Sequence, residues 1–171
     1  MQGGDIEALC VPHENFDHMK GAGVFSRKFD VPIYATMETW DAMEENLGKI
    51  AAWNKRYVYE GETCVINDLC VRPFSIPHDA ANPVGYSVSA QQKKITVATD
   101  IGHVTDIIRE NITDSDVLLL EANHDEELLR KGGYPWHLKQ RILGERGHLS
   151  NRTAGERLAG VMSGKLKLLS L

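Results

Sequence analysis

The stretch PHENFDHMKG, residues 12–21, places His13, Glu14, Asn15, Asp17 and His18 within six positions. Neutral imidazole and ionised carboxylate are the donors that zinc, manganese and iron take from proteins, and two such ions can share one bridging carboxylate. In an extended turn, residues two apart face the same side, so His13 and position 15 could grip one ion. Asp17 and His18, at the start of a following helix, could face a second. Three more polar clusters hold the same chemistry: PHDAANP with His78, TDIGHVT with Asp100 and EANHDE with His124.

Each cluster follows an apolar run of strand character: IEALCV at 6–11, the run ending in FSIP, KITVA, and VLLL at 117–120. Strand ends converge in sheet proteins, so residues distant in sequence can meet in one pocket there. The elements between them alternate, as expected of one α/β unit without repeats. A short helix is expected from Asp17 through Phe25, and a strand at 31–36. A helix capped by Thr36 should carry Trp40, Met43, Leu47 and Ile50 on one face. Residues 57–99 read as hairpins, with turns at Gly61 and Gln91-Gln92. Helical spacing returns at Val104, Ile107 and Ile108. Pro135 suits the first turn of another helix. Ser150 can cap a last helix bearing Ala154, Leu158, Val161 and Met162, before KLKLLSL starts a strand.

Composition narrows the function. Nineteen Lys and Arg against 24 Asp and Glu give a net charge of -5, so no global positive field draws this chain of 171 residues to nucleic acid or membrane. Binding to a polyanion must be local. Cys10, Cys64 and Cys70 form no CxxC pair and suggest no disulfide framework, which points to a reducing cytoplasm. No apolar run approaches the ~20 residues that span a bilayer.

PHENFDH is similar to the HxHxDH signature of the metallo-β-lactamase fold, and the chain resembles that fold's YycJ (WalJ)-type branch of metal-dependent hydrolases. The stretches KGAGVFSRKFDVPIYAT, IPHDAANPVGYSV, ITVATDIGHVTD, LLLEANHDEELLRKGGYPWHLKQRIL and GHLSNRTAGERLA carry the resemblance in order along nearly the whole chain. It implies an αββα sandwich, present as a single partial domain over 1–171. The N-terminal strands and the C-terminal part, with the last metal-binding histidine, are expected to lie outside it.

By that resemblance His13, His78 and Asp100 hold a first ion, with Asn15 a weak ligand where the family has histidine. Asp17, His18 and the shared Asp100 hold a second. The ions are zinc or manganese, with weak or single-ion occupancy expected because each site lacks one good donor. Asp17 would hold or deprotonate the attacking water, and His148, in GHLSN, would assist phosphate chemistry rather than bind metal. The implied reaction is phosphodiester hydrolysis of nuclease type. The alternative is a degenerate remnant that binds a partner or itself.

For the substrate side, Lys139 and Arg141, among basic residues interleaved with Tyr134 and Trp136, could track a single-stranded nucleic acid backbone. A solvated helix face explains the same composition. His124 either lines the pocket or sits where Asn123 and Asp125 cap the next helix. His103 and His137 read as solvent-facing. A free sheet edge, if present, would favour self-association.

Overall fold

Two sheets form from the apolar alternation, and the computed structural model describes residues 5–159, residue 166 and the backbone of 168–170. The first is parallel: β1 (Leu9–Cys10), β2 (Ile33–Ala35) and β3 (Lys55–Tyr57), in that order. Its crossovers are helical, with α1 (Phe16–Met19) and α2 (Ala22–Phe29) after β1 and α3 (Met37–Leu47) after β2.

The second sheet runs β4 (Cys64–Ile66), β5 (Leu69–Ser75), β6 (Val84–Ala90), β7 (Lys93–Ala98), β8 (Val117–Leu120) and β9 (Leu168–Ser170). β4 to β7 are antiparallel neighbours, whereas β7, β8 and β9 are parallel. Parallel pairing requires long returns. These are α4 (Asp106–Ile112) between β7 and β8, then α5 (Glu126–Lys131), α6 (Trp136–Ile142) and α7 (Asn151–Ala159) between β8 and β9.

Among the described residues, three apolar cores stack these layers. Ile33, Ala35, Trp40, Met43 and Leu47 join the first sheet to α2 and α3. Val58, Ile66, Val71, Val84 and Tyr86 fill the space between the sheets. Phe74, Ala98, Ile108, Leu118, Ala154 and Leu158 join the second sheet to α4 and α7. The order helix, sheet, sheet, helix is the expected αββα sandwich.

Local signals explain most boundaries. Thr36 Oγ1 accepts from Thr39 N and caps α3. Gln91 and Gln92 both adopt positive φ in the two-residue turn joining β6 to β7, which matches the twist of that hairpin. Ser150 Oγ accepts from Thr153 N at the start of α7. Two expectations need correction. The helix expected over 17–25 is two helices, because the chain turns at Lys20-Gly21 and α2 continues to Phe29. Ile50 is buried but lies beyond α3, which ends at Gly48 with φ of 72°. Val161 and Met162 lie outside the described residues.

Candidate metal centre

The parallel strands aim their C-terminal ends at one place. β1 leads into Pro12-His13, β7 into Asp100 and β8 into Glu121, while the β5–β6 connection brings His78 and the approach to α7 brings His148. The first loop is tied to the second sheet. Tyr86 Oη donates to Val11 O at 3.0 Å, and Val84 N donates to Pro12 O at 3.0 Å. The His78 loop is held from three sides. Glu14 Oε1 accepts from Ala81 N, the Thr36 and Thr39 hydroxyls donate to Asn82 O, and Arg146 Nε donates to His78 O.

At the centre Asp100 presents its carboxylate from a left-handed backbone, φ 57°. Its Oδ2 is 3.0 Å from His18 Nε2 and 3.4 Å from His13 Nε2. The rings of His13 and His18 lie 4.2 Å apart, those of His13 and His78 4.9 Å, and those of His78 and His148 5.4 Å. Burial pushes the Asp100 carboxyl upward, but the adjoining imidazoles outweigh it and hold the group well below its ordinary value. His18 is raised in turn by its hydrogen bond to Asp100. Burial lowers His78 and favours its neutral form, the form that ligates metal.

Among the described residues, two groups bring three donors within ligand range of one another: His13, His18 and Asp100, and Asp100, Glu121 and His148. They differ in what they still need. His13 is fully buried, yet neither ring nitrogen makes a hydrogen bond among the described residues. A buried imidazole left so is costly unless something binds it, which is the condition of a metal ligand. The second group is already satisfied. Glu121 Oε1 meets His148 Nδ1 at 2.6 Å, and Oε2 accepts from Ile101 N and Leu149 N at 2.9 and 3.1 Å. A divalent cation therefore fits the His13, His18 and Asp100 group better.

Each expected residue has its place. Asp17 is 77% exposed, with Oδ2 3.6 Å from His18 Nε2. Asn15 Nδ2 lies 3.1 Å from His78 Nε2. His148 Nδ1 is also 3.6 Å from Asp100 Oδ1, and the Glu121 hydrogen bond raises its proton affinity. His124 lines a separate cavity formed with α5, and Asp125 caps α5 through Leu128 N. Arg141 is exposed and pairs with Asp79 at 3.2 Å. Lys139 is only 9% exposed, and its ammonium donates to Arg130 O and Gly132 O at 2.7 and 2.6 Å. Expected on a phosphate track, it instead caps the end of α5. His137 is exposed, and His103 is exposed with Nδ1 3.0 Å from Glu145 O.

Glu121 was not singled out from the sequence. Its signal is a lone carboxylate ending the apolar run VLLL, a position where a charge needs partners. Gly102 and Gly147 belong to the same structure. A Cβ on Gly102 would collide with the Glu145 carbonyl, and one on Gly147 with the Arg141 and Ile142 carbonyls, so both turns beside Asp100 and His148 require glycine.

The family model of the beta-lactamase superfamily domain matches residues 2–169. The chain belongs to the beta-lactamase superfamily. Within it, the chain is 38% identical over 167 residues to the exodeoxyribonuclease YycJ of Bacillus anthracis, and 38% identical over 169 residues to the exodeoxyribonuclease WalJ of Streptococcus pneumoniae. Each match covers 98% of this chain and 63% of the relative, so the chain spans less than two thirds of their length. Zinc-bound PqqB from Methylobacterium extorquens shares the fold at a TM-score of 0.70 and 20% identity, over 95% of this chain and 60% of that one. The short form of human tRNase Z does so at 0.68 and 17%, over 100% and 75%. The superfamily fold generally binds divalent metals, and this centre offers the donors for them.

Proposed function

We propose that this chain is a metal-dependent phosphodiesterase of exonuclease type acting on single-stranded DNA. The observation that carries the reading is the fully buried His13, whose ring nitrogens complete no hydrogen bond among the described residues, grouped with His18 on the Asp100 carboxylate and adjoining the Glu121–His148 pair. The 38% identity to exodeoxyribonucleases supports the substrate class. His13, His18 and Asp100 would hold a zinc or manganese ion, with Asp17 and His78 at its margins. Such an ion supplies charge stabilisation at a phosphoryl oxygen and lowers the pKa of a water toward about 7.

The chain's own residues do the rest. Glu121 keeps a proton on His148 Nδ1 and raises its basicity, leaving Nε2 to donate to a phosphoryl oxygen or a departing alkoxide. The exposed Asp17 carboxylate can take the proton of the attacking water. A cytoplasmic setting accords with three unpaired cysteines.

A second reading, a binding or self-associating module with an impaired centre, is favoured by the Asn15–His78 contact, which occupies one imidazole lone pair. Calorimetric titration with Zn2+ and Mn2+, followed by release of nucleotides from end-labelled single-stranded DNA, separates the two. One ion bound with turnover that His148→Ala abolishes supports the hydrolase. Absence of metal binding and turnover supports the module, and light scattering then tests self-association.

A further inference from the structure

Beside the centre lies a cavity of about 590 Å³, between α5 and the turn that leads into α6. It is lined by Leu128, Leu129, Gly132, Gly133 and Tyr134, together with Asp125 and His124. Residues 123 and 124 run alongside the His148 loop: Asn123 N donates to Leu149 O, and Asn151 N donates to His124 O, both at 2.9 Å. The cavity and the Glu121–His148 pair are therefore neighbours on one scaffold.

Its chemistry is unlike that of the centre. Leu128 is 72% exposed and Tyr134 59%, an apolar and aromatic surface facing water. The Asp125 carboxylate in its lining is engaged at the α5 N-cap, and the Lys139 ammonium behind the glycine turn is held by Arg130 O and Gly132 O. No cation in the lining could take a phosphate. A flat, weakly charged ring suits it, with Tyr134 to stack on and aliphatic wall below. The Lys139 bonds also fix the glycine turn, so the surface is preorganised.

We propose that this cavity seats the nucleobase next to the phosphate held at the metal centre, in a single-stranded DNA. The inference rests on the phosphodiesterase reading and adds the substrate group recognised beside it. Stacking by one aromatic residue predicts about a tenfold preference for a base over an abasic site at that position.

The test uses nuclease-resistant phosphorothioate DNA with Mn2+, read by fluorescence anisotropy. Oligomers carrying terminal bases are compared with oligomers whose terminal units are abasic. The wild-type chain should prefer the former about tenfold. Tyr134→Ala and Leu128→Ser, both at exposed positions and checked by thermal melting, should each bring the ratio toward one. No preference in the wild type, or a ratio unmoved by both variants, overturns the proposal. So does a light-scattering shift from dimer to monomer in those variants, which would make the surface a protein contact. Wild-type hydrolysis of bis(p-nitrophenyl) phosphate reports on the centre by itself. Its persistence with an unmoved ratio rejects the base site alone, and its absence rejects the phosphodiesterase reading beneath it.

Discussion

Asn15 Nδ2 stands 3.1 Å from His78 Nε2, so an amide N–H is directed at the lone pair that would otherwise be offered to a metal. Burial lowers the proton affinity of His78 and favours the neutral form, whose unprotonated ring nitrogen can accept that hydrogen bond. If His13, His78 and Asp100 hold an ion as the family resemblance implies, position 15 would weaken that site twice, by supplying a neutral donor and by engaging its neighbour. Asn15→His is expected to raise affinity for Zn2+ about tenfold or more in calorimetry, within the range by which a ligand's surroundings alter metal binding. An unchanged binding constant would place the deficit elsewhere.

Glu121 ties the end of β8 to two loops through one carboxylate, bonded to His148 Nδ1, Ile101 N and Leu149 N. Glu121→Gln turns an NH2 group either toward the Ile101 and Leu149 amides, which also donate, or toward His148 Nδ1, which can meet it only as the Nε2–H tautomer. Urea denaturation should register a loss of about 1–3 kcal/mol, the usual penalty for a buried group left unsatisfied. DNA turnover should fall as well, since His148 loses its orienting partner. Full stability with full turnover would show that the pair is dispensable.

Lys139 and Arg141 sit two positions apart but have different surroundings. Lys139→Met removes two charged, part-buried hydrogen bonds to the Arg130 and Gly132 carbonyls and should destabilise the fold by about 2 kcal/mol. Arg141→Ala loses an exposed pair with Asp79 and should change stability by less than about 1 kcal/mol. Parallel thermal melts check the contrast. Equal effects would mean that the Lys139 bonds contribute little in solution.

Asp30 offers a pH signature remote from the centre. It ends α2 in a left-handed conformation, and its Oδ1 accepts from Trp53 Nε1 and Asn54 Nδ2. The Trp53 bond first, then that of Asn54, holds its carboxyl below the ordinary 3.8. A depressed carboxyl stabilises the fold above its unfolded value and loses that contribution as pH falls through its folded value. Asp30→Asn keeps a side chain tolerant of positive φ but removes the charge. Melting temperatures of the two proteins should therefore differ at pH 6, begin to approach each other as pH falls toward 3.8, and converge only below the lower folded value. A gap that stays constant over that range would remove Asp30 from the acid response.

Much of this molecule was legible in local pattern. The Thr36 cap, the Gln91-Gln92 turn, the helix after Ser150 and the strand-end position of His13, Asp17, His18, His78 and Asp100 follow from residue type and spacing. Their partners are within a few residues, or their side chains simply alternate in and out of an apolar layer. The HxHxDH-like spacing and the stretches around it were enough to name the family.

Tertiary structure decided the rest, because it depends on which distant atoms consume which lone pairs. Nothing in the spacing of EANHDE told that Glu121 would be held by backbone 20 and 28 residues away. Nothing in a basic helix told that Lys139 turns inward to α5 while Arg141 stays in water. The grouping of His13 with His18 on Asp100, and of Asn15 with His78, likewise appears only when β1, β5 and β7 bring their ends together. Sequence period encodes which face of an element is buried. Which donors then meet, and which of them remain unsatisfied and able to bind a metal, is settled by the packing of the two sheets.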